Sequence, residues 1–217
     1  QGVGTVFTEK FLKELGCDVL LINKEPPGIF AHNPEPLPEN LVTLSKTVIK
    51  EKADIGFAQD PDCDRLAIVC EDGNIPGEEM VVVLAVRDIL EYHKKGNIVV
   101  NLSTTALIED IARSSGVSVY RTKIGEVNVV EKMKETGAVI GGEGNWGVIF
   151  PDVHYGRDSF VGMALILEYL AYRGVRISEI INEMPEYFMV KKKVGISDRK
   201  KVEEIMEKVK YKVSGKE

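Results

Sequence analysis

Short apolar runs of strand length alternate with stretches whose apolar residues recur at helical spacing, and this alternation restricts the fold more than any single residue does. Val6, Phe7, Phe11, Leu12 and Leu15 lie at helical spacing ahead of Gly16, a residue type that ends helices. Asp18–Asn23 reads as a buried strand. Pro26, Pro27, Gly28, Pro34, Pro36 and Pro38 then specify a long rigid loop. A helix is expected over about Glu39–Glu51. Strands follow at Ala53–Ala58 and Leu66–Cys70, with an aspartate-rich turn between them. Residues 71–74 have hairpin-turn composition.

Near residue 75 the alternation restarts. Helices are expected at Glu78–Tyr92, Thr104–Ser114, Glu126–Glu135 and Arg157–Tyr172. Strands are expected between them at Asn97–Asn101, Val117–Arg121, Ala138–Ile140 and Gly147–Phe150. Beyond Met184, Tyr187–Val194 reads as an edge strand and Asp198–Val209 as a charged helix. The pattern predicts an α/β fold of two successive three-layer domains with mixed sheets, plus the start of a third unit. The boundaries fall at residues 1–75, 76–184 and 185–217. Gln1-Gly2-Val3-Gly4-Thr5 has the composition of the glycine-rich turn that follows a strand in such folds. A strand ahead of residue 1 is therefore expected.

Composition removes several classes of function. A hydrophobic fraction of 44% is too high for a disordered chain. No apolar run reaches the roughly 18 residues a membrane helix needs, and no basic segment precedes an apolar one at the start. The net charge of -6 gives no global attraction for nucleic acid or anionic lipid. No nucleic-acid or membrane partner is expected, and an anionic ligand would need local cations or a metal. Cys17, Cys63 and Cys70 are odd in number and unpaired in spacing. That argues against a disulfide scaffold or a cysteine zinc site and for a reducing, cytoplasmic setting. His32, His93 and His154 are scattered, so a histidine-rich metal site is not expected.

Four segments carry chemistry. Asp60-Pro61-Asp62-Cys63-Asp64-Arg65 follows an apolar strand directly. Carboxylates at i, i+2 and i+4 around a turn can converge on a hard cation such as Mg²⁺ or Ca²⁺. Arg65 beside them suits a phosphate oxygen held next to that metal. A solvated acidic turn is the plain alternative. An EF-hand loop is disfavoured because Arg65 stands where glycine is required and the flanks are strands. A DxDxT phosphatase turn is disfavoured because no threonine follows Asp64. Gly141-Gly142-Glu143-Gly144-Asn145-Trp146-Gly147 offers close backbone approach, with Glu143 and Asn145 as groups for vicinal sugar hydroxyls. A tight hairpin with an exposed tryptophan is the competing reading. Lys123, at a strand-to-helix junction, suits an anion or is a solvated loop residue. In His154-Tyr155-Gly156-Arg157-Asp158-Ser159, Asp158 is a candidate helix cap and Arg157 a phosphate or carboxylate partner.

In this order the segments resemble the α-D-phosphohexomutase superfamily, which includes phosphoglucomutase, phosphomannomutase and phosphoglucosamine mutase. Asp60–Arg65 matches that family's DPDxDR metal loop, and Gly142–Asn145 is similar to its GEGN sugar loop. Thr122–Gly125 resembles its T-x-V-G loop with Ile124 for valine, and Asn33–Pro36 its N-PEP stretch. Gly156-Arg157-Asp158 is also similar to members of archaeal and some bacterial type.

The resemblance implies Mg²⁺ on Asp60, Asp62 and Asp64, with Arg65 and Lys123 in catalysis. It implies hexose phosphate held by Glu143, Asn145, Gly125 and Arg157. The implied reaction moves a phosphoryl group between O1 and O6 of a hexose through a phosphoserine and a bisphosphorylated sugar. Ser103, Ser114 and Ser159 are in no T/S-A-S-H-N-P context, and no R-x-S-G-T-E loop occurs in the sequence. The residues thus correspond to the family's second and third domains and the opening of its fourth. Domains I and IV of the same polypeptide are the implied partners, and the isolated chain is expected to be inactive. A non-catalytic sugar-phosphate or metal-binding module is the alternative.

Overall fold

Apolar alternation in the strands and apolar stripes on the helices sort the chain into layers. The structure, a computed structural model, describes residues 2–24, 30, 32–188, 195 and 200–213. Residues 1–187 form one unit and residues 188–217 a second. The second contains α8 (Lys200–Val213), on which Val202, Ile205, Met206 and Val209 are exposed. The expected strand Tyr187–Val194 falls largely outside the described residues, and 187–188 are not in a strand.

In the first unit, α1 (Gly4–Glu14) and α2 (Val42–Glu51) accompany a two-stranded hairpin. β1 (Ile55–Gln59) and β2 (Leu66–Cys70) pair antiparallel, Ile55 opposite Cys70 and Gln59 opposite Leu66. Every residue of β2 is buried, as its continuous apolar run requires. The aspartate-rich segment is the connection of this hairpin. Cys63 takes a left-handed φ of 63°. Its N–H donates to the Asp60 carbonyl at 3.2 Å, while the Asp60 N–H donates to the Arg65 carbonyl at 3.3 Å.

The second sheet has four strands in the order β4-β3-β5-β6. β3 (Ile98–Asn101) pairs parallel with β4 (Val119–Thr122) and β5 (Ile140–Glu143), and β6 (Gly147–Ile149) runs antiparallel to β5. Alternation along β3 serves both faces. Ile98 and Val100 join the core with α3 (Met80–Asp88), α4 (Leu107–Ser115) and α6 (Ser159–Arg173). Val99 points the other way, to Val129 and Met133 of α5 (Glu126–Thr136). The result is three layers, with a short α7 (Ile177–Asn182) adding Ile177 and Ile180 to the larger core. Leu12, Leu41 and all of β2 except Val69 belong to that same core, so apolar packing is continuous across residue 75. Gly116, Gly137 and Gly174 end α4, α5 and α6 in left-handed conformations.

Two expected elements differ. Asp18–Asn23 forms no strand. Residues 17–21 alternate half-buried and exposed, and Cys17 and Val19 pack on the core. An apolar pattern supplies burial, but a strand also needs a neighbour for its ladder bonds, and none is present among the described residues. Nearby, β1 pairs on one edge only, and Leu21, Ile22, Phe57 and Ala58 line a cavity of about 180 Å³. The expected helix 78–92 is α3 followed by a π-helical turn over Ile89–His93. The Lys94 N–H donates to the Ile89 carbonyl at 2.9 Å, the five-residue bond of that turn.

Among the described residues, no helix is long and apolar enough to cross a membrane. Asp158 caps α6: its carboxylate accepts the Phe160 N–H at 2.7 Å and the Val161 N–H at 3.2 Å. Asp158→Ala should therefore lower stability by about 1 kcal/mol. Urea denaturation checks this through the midpoint, and an unshifted midpoint would refute the cap.

Candidate active site and metal centre

The β1–β2 connection folds its three aspartates onto one another. Donor oxygens of Asp60, Asp62 and Asp64 all lie within 4.8 Å of one another. Asp60 is only 3% exposed, and it is satisfied from within the loop. Its Oδ1 accepts the Arg65 N–H at 3.1 Å and its Oδ2 accepts Arg65 Nε at 2.7 Å. Burial alone would raise the Asp60 pKa, but these bonds from Arg65 outweigh it and hold the group below the usual carboxylate range. Asp64 behaves oppositely. Burial first, and then the adjacent Asp60 carboxylate, push it up to about 6, although Arg157 favours its ionised form. Asp62 is exposed.

The sugar-type loop meets this cluster through Arg157. Glu143, at the end of β5 and 2% exposed, is held from three sides. Its Oε1 accepts Asn101 Nδ2 and the Gly125 N–H, both at 2.9 Å, and its Oε2 accepts Arg157 Nη1 at 3.0 Å. Arg157 Nε also bonds Glu126 Oε2 at 3.1 Å, and Arg157 Nη2 bonds Asp64 Oδ2. One guanidinium thus ties the β1–β2 turn, the end of β5 and the start of α5 together. Gly147 makes room for it: a Cβ there would stand 2.3 Å from Arg157 Cδ.

Backbone bonds place the three loops. Cys63 carbonyl accepts both the Ser159 N–H at 3.0 Å and Ser159 Oγ at 2.7 Å. Leu66 N–H donates to the Trp146 carbonyl, and Asp158 N–H to the Val148 carbonyl, each at 3.0 Å. Trp146 is buried, with a left-handed φ of 68°, so the exposed-tryptophan reading of this hairpin does not hold.

The nine candidate residues divide into three groups. Asp60, Asp62, Asp64, Arg65, Glu143 and Arg157 converge. Gly125 joins them through its backbone N–H, at a φ of 120°. Asn145 sits in the β5–β6 turn, where its Oδ1 is buried and receives no hydrogen bond. Lys123 is exposed two residues before Gly125, and no hydrogen bond or ion pair joins its ammonium to the carboxylates among the described residues. Two supporting residues escaped the sequence reading, Glu126 and Asn101. Asn101 Oδ1 accepts Ser103 N–H and Oγ and Thr104 Oγ1, which turns its amide towards Glu143. The available signal was Glu126 directly after Gly125 at the start of α5. The Arg121 guanidinium, at the end of the expected strand Val117–Arg121, bonds Glu109 and the carbonyls of Asn101, Thr104 and Thr105, pinning the turn after β3.

Asp60, Asp62, Asp64, Glu35, Glu126 and Glu143 surround two guanidiniums, Arg65 and Arg157. Six negative charges against two positive leave an excess that a divalent cation reduces. The donors are all oxygen, which suits Mg²⁺ or Ca²⁺. Carboxylate oxygens carry about four acceptor positions per group, so Asp60 can serve a cation while Arg65 stays in place. The residues fit a hard cation.

Two family models match the chain. "Phosphoglucomutase/phosphomannomutase, alpha/beta/alpha domain II" matches residues 1–73, and domain III of the same family matches residues 76–188. A "Phosphoglucomutase/phosphomannomutase" of Thermococcus kodakarensis is 39% identical over 98% of this chain and 48% of its own length. A "Probable phosphoglucosamine mutase" of Methanopyrus kandleri is 38% identical over 94% of this chain and 45% of its own. The chain spans about half the length of the curated relatives it matches. Among solved structures, a phosphoglucomutase/phosphomannomutase family protein of Burkholderia thailandensis superposes with a TM-score of 0.76 at 30% identity, over 85% of this chain and 41% of that one. A putative phosphomannomutase of Thermus thermophilus gives 0.77 at 28% identity, over 84% and 43%.

Two measurements check the metal centre. Asp62→Ala should abolish Mg²⁺ binding in titration calorimetry, and unchanged binding would refute the assignment. Because a proton competes with the cation for Asp64, Mg²⁺ affinity should fall as pH drops through about 6. An affinity that stays flat from pH 7 to 5 would contradict that ligand.

Proposed function

The chain belongs to the phosphoglucomutase/phosphomannomutase family, and on that premise we propose that it forms the metal- and sugar-holding part of an enzyme interconverting hexose 1-phosphate and hexose 6-phosphate. The observation that carries this reading is Arg157, which bonds Asp64 of the carboxylate loop and Glu143 of the sugar-type loop at once. The two loops therefore act as one site.

Phosphoryl transfer asks a protein mainly for positioning and charge neutralisation. Mg²⁺ on Asp60, Asp62 and Asp64 would supply charge to phosphoryl oxygens. Arg65 is held by Asp60 through Nε, and its Nη1 lies 3.7 Å from Glu35 Oε1, so a phosphoryl oxygen would share the guanidinium with these carboxylates. Glu143 is prevented from moving by three donors, and its Oε2 keeps acceptor capacity for a sugar hydroxyl. Asn145 Oδ1 lacks a donor, and a second hydroxyl supplies one. A vicinal diol offers the same two donors whichever end of the sugar is phosphorylated, as a reaction needing two substrate orientations demands. Lys123, exposed on the same loop as Gly125, is a phosphate contact or proton-transfer group. In this reading the phosphoserine that donates one phosphoryl group and takes back the other lies in domain I, and domain IV completes the substrate site.

The test is binding of glucose 6-phosphate in the presence of Mg²⁺, followed by calorimetry. Losing one charge-assisted hydrogen bond of about 1.5–3 kcal/mol at Glu143→Gln should weaken sugar-phosphate binding at least about tenfold, a larger loss than the same variant shows for Mg²⁺. Equal sugar-phosphate affinity in the variant would overturn the role of Glu143. In a coupled assay the 217-residue chain alone should show no mutase turnover, and robust turnover would refute the division of labour between domains.

A further inference from the structure

A second cluster of donor groups lies away from these loops. Asp88 closes α3, His93 ends the π-helical turn, and Glu168 stands on α6. Asp88 is fully buried at 0% exposure, yet neither of its carboxylate oxygens receives a hydrogen bond. A buried carboxylate without a donor costs several kcal/mol, and native structures rarely leave such a group unexplained. His93 Nε2 lies 3.5 Å from Asp88 Oδ2 and 2.8 Å from Glu168 Oε2. One donor atom from each of the three lies within 4.8 Å of the others.

The π turn produces this meeting. In an α-helix, residues five apart diverge by about 140°. The wider turn brings position i+5 back over position i, so His93 faces Asp88. Neighbouring charges are engaged elsewhere. Glu91 accepts Arg87 Nε at 2.8 Å and the Tyr169 hydroxyl at 3.2 Å, and Lys94 pairs with Asp152. No described cation other than a protonated His93 answers the Asp88 and Glu168 pair.

We propose that Asp88, His93 and Glu168 form a second metal site, for a divalent transition metal of the Zn²⁺ type, separate from the Asp60–Asp64 cluster. Two carboxylates balance the ion's charge, and a neutral imidazole completes a mixed nitrogen and oxygen donor set. That set favours Zn²⁺, Co²⁺ or Ni²⁺ over Mg²⁺. With metal–ligand bonds of about 2.0–2.2 Å, tetrahedral ligands stand about 3.3 Å apart. The Asp88–His93 separation already fits. The His93–Glu168 contact must open by about half an ångström, and both side chains are 36% exposed and able to yield. Burial and the Glu168 carboxylate push Asp88 up to about 7, a repulsion that a cation relieves. Glu168 lies about 14 Å along α6 from Ser159 at 1.5 Å per residue. The ion would clamp the end of α3 to the helix whose start carries the first site.

The test titrates Zn²⁺ into the 217-residue chain with Mg²⁺ in large excess to hold the aspartate loop. One Zn²⁺ per chain should bind. Its affinity should fall at least about tenfold in His93→Ala and in Glu168→Gln, with circular dichroism unchanged, and should persist in Asp62→Ala. Co²⁺ at the site should show ligand-field absorption without a thiolate charge-transfer band, and His93→Ala should remove it. Unaltered Zn²⁺ binding in His93→Ala overturns the site. A thiolate band, which would place the ion on cysteine, overturns it too. So does the absence of saturable Zn²⁺ binding, in which case a proton shared between Asp88 and Glu168 is what settles the cluster.

Discussion

Arg157 is the residue on which the geometry of the site turns. Its guanidinium reaches Asp64, Glu126 and Glu143, groups carried by a hairpin turn, a helix start and a strand end. Such planar charge-assisted bonds are directional as well as strong. Buried ion pairs are weak evidence for stability, because desolvation offsets much of the attraction. Their value here is positional. Without Arg157, three carboxylates would face one another with no shared cation, inside loops whose backbone bonds keep them close. Arg157 is itself placed by backbone: the next residue donates its N–H to Val148 and caps α6 with its carboxylate.

Long-range polar contacts complete this frame. Ser159 reaches back to Cys63, and Gln59 Nε2 donates to Ser159 Oγ at 2.7 Å. Thr8 Oγ1 in turn donates to Gln59 Oε1 at 2.5 Å, linking α1 to the chain of bonds. Each such bond contributes only about 1 kcal/mol net. They select one arrangement of the loops, while the cohesion comes from apolar burial along β2, α3 and α6.

Much of this was legible in the residues. Element types followed from periodicity, because β3, α5 and α6 are buried on the faces their apolar spacing defines. Asp60–Arg65 stood out because three carboxylates at alternate positions around a turn can converge on a cation, although a solvated acidic turn has the same composition. Asp18–Asn23 misled because pattern encodes burial and says nothing of a pairing partner. The π turn was invisible because one inserted residue leaves an apolar run apolar. Glu126 and Asn101 were missed since their roles depend on which loops meet across the sheet, a property of topology rather than spacing. Arg157 was legible as a carboxylate partner, but which carboxylates it joins was not, since the three lie 14 to 93 positions away in sequence.

Gly147 has no functional group, yet the arginine's aliphatic stem occupies the volume its side chain would fill. Inheritance of the site is therefore sensitive to a position that contributes no chemistry. A methyl group there would stand 2.3 Å from Arg157 Cδ, so the arginine stem would have to shift with every charged residue still in place. A position without charge or hydrogen-bonding side chain thus bears on where the guanidinium sits, and so on which carboxylates it can join.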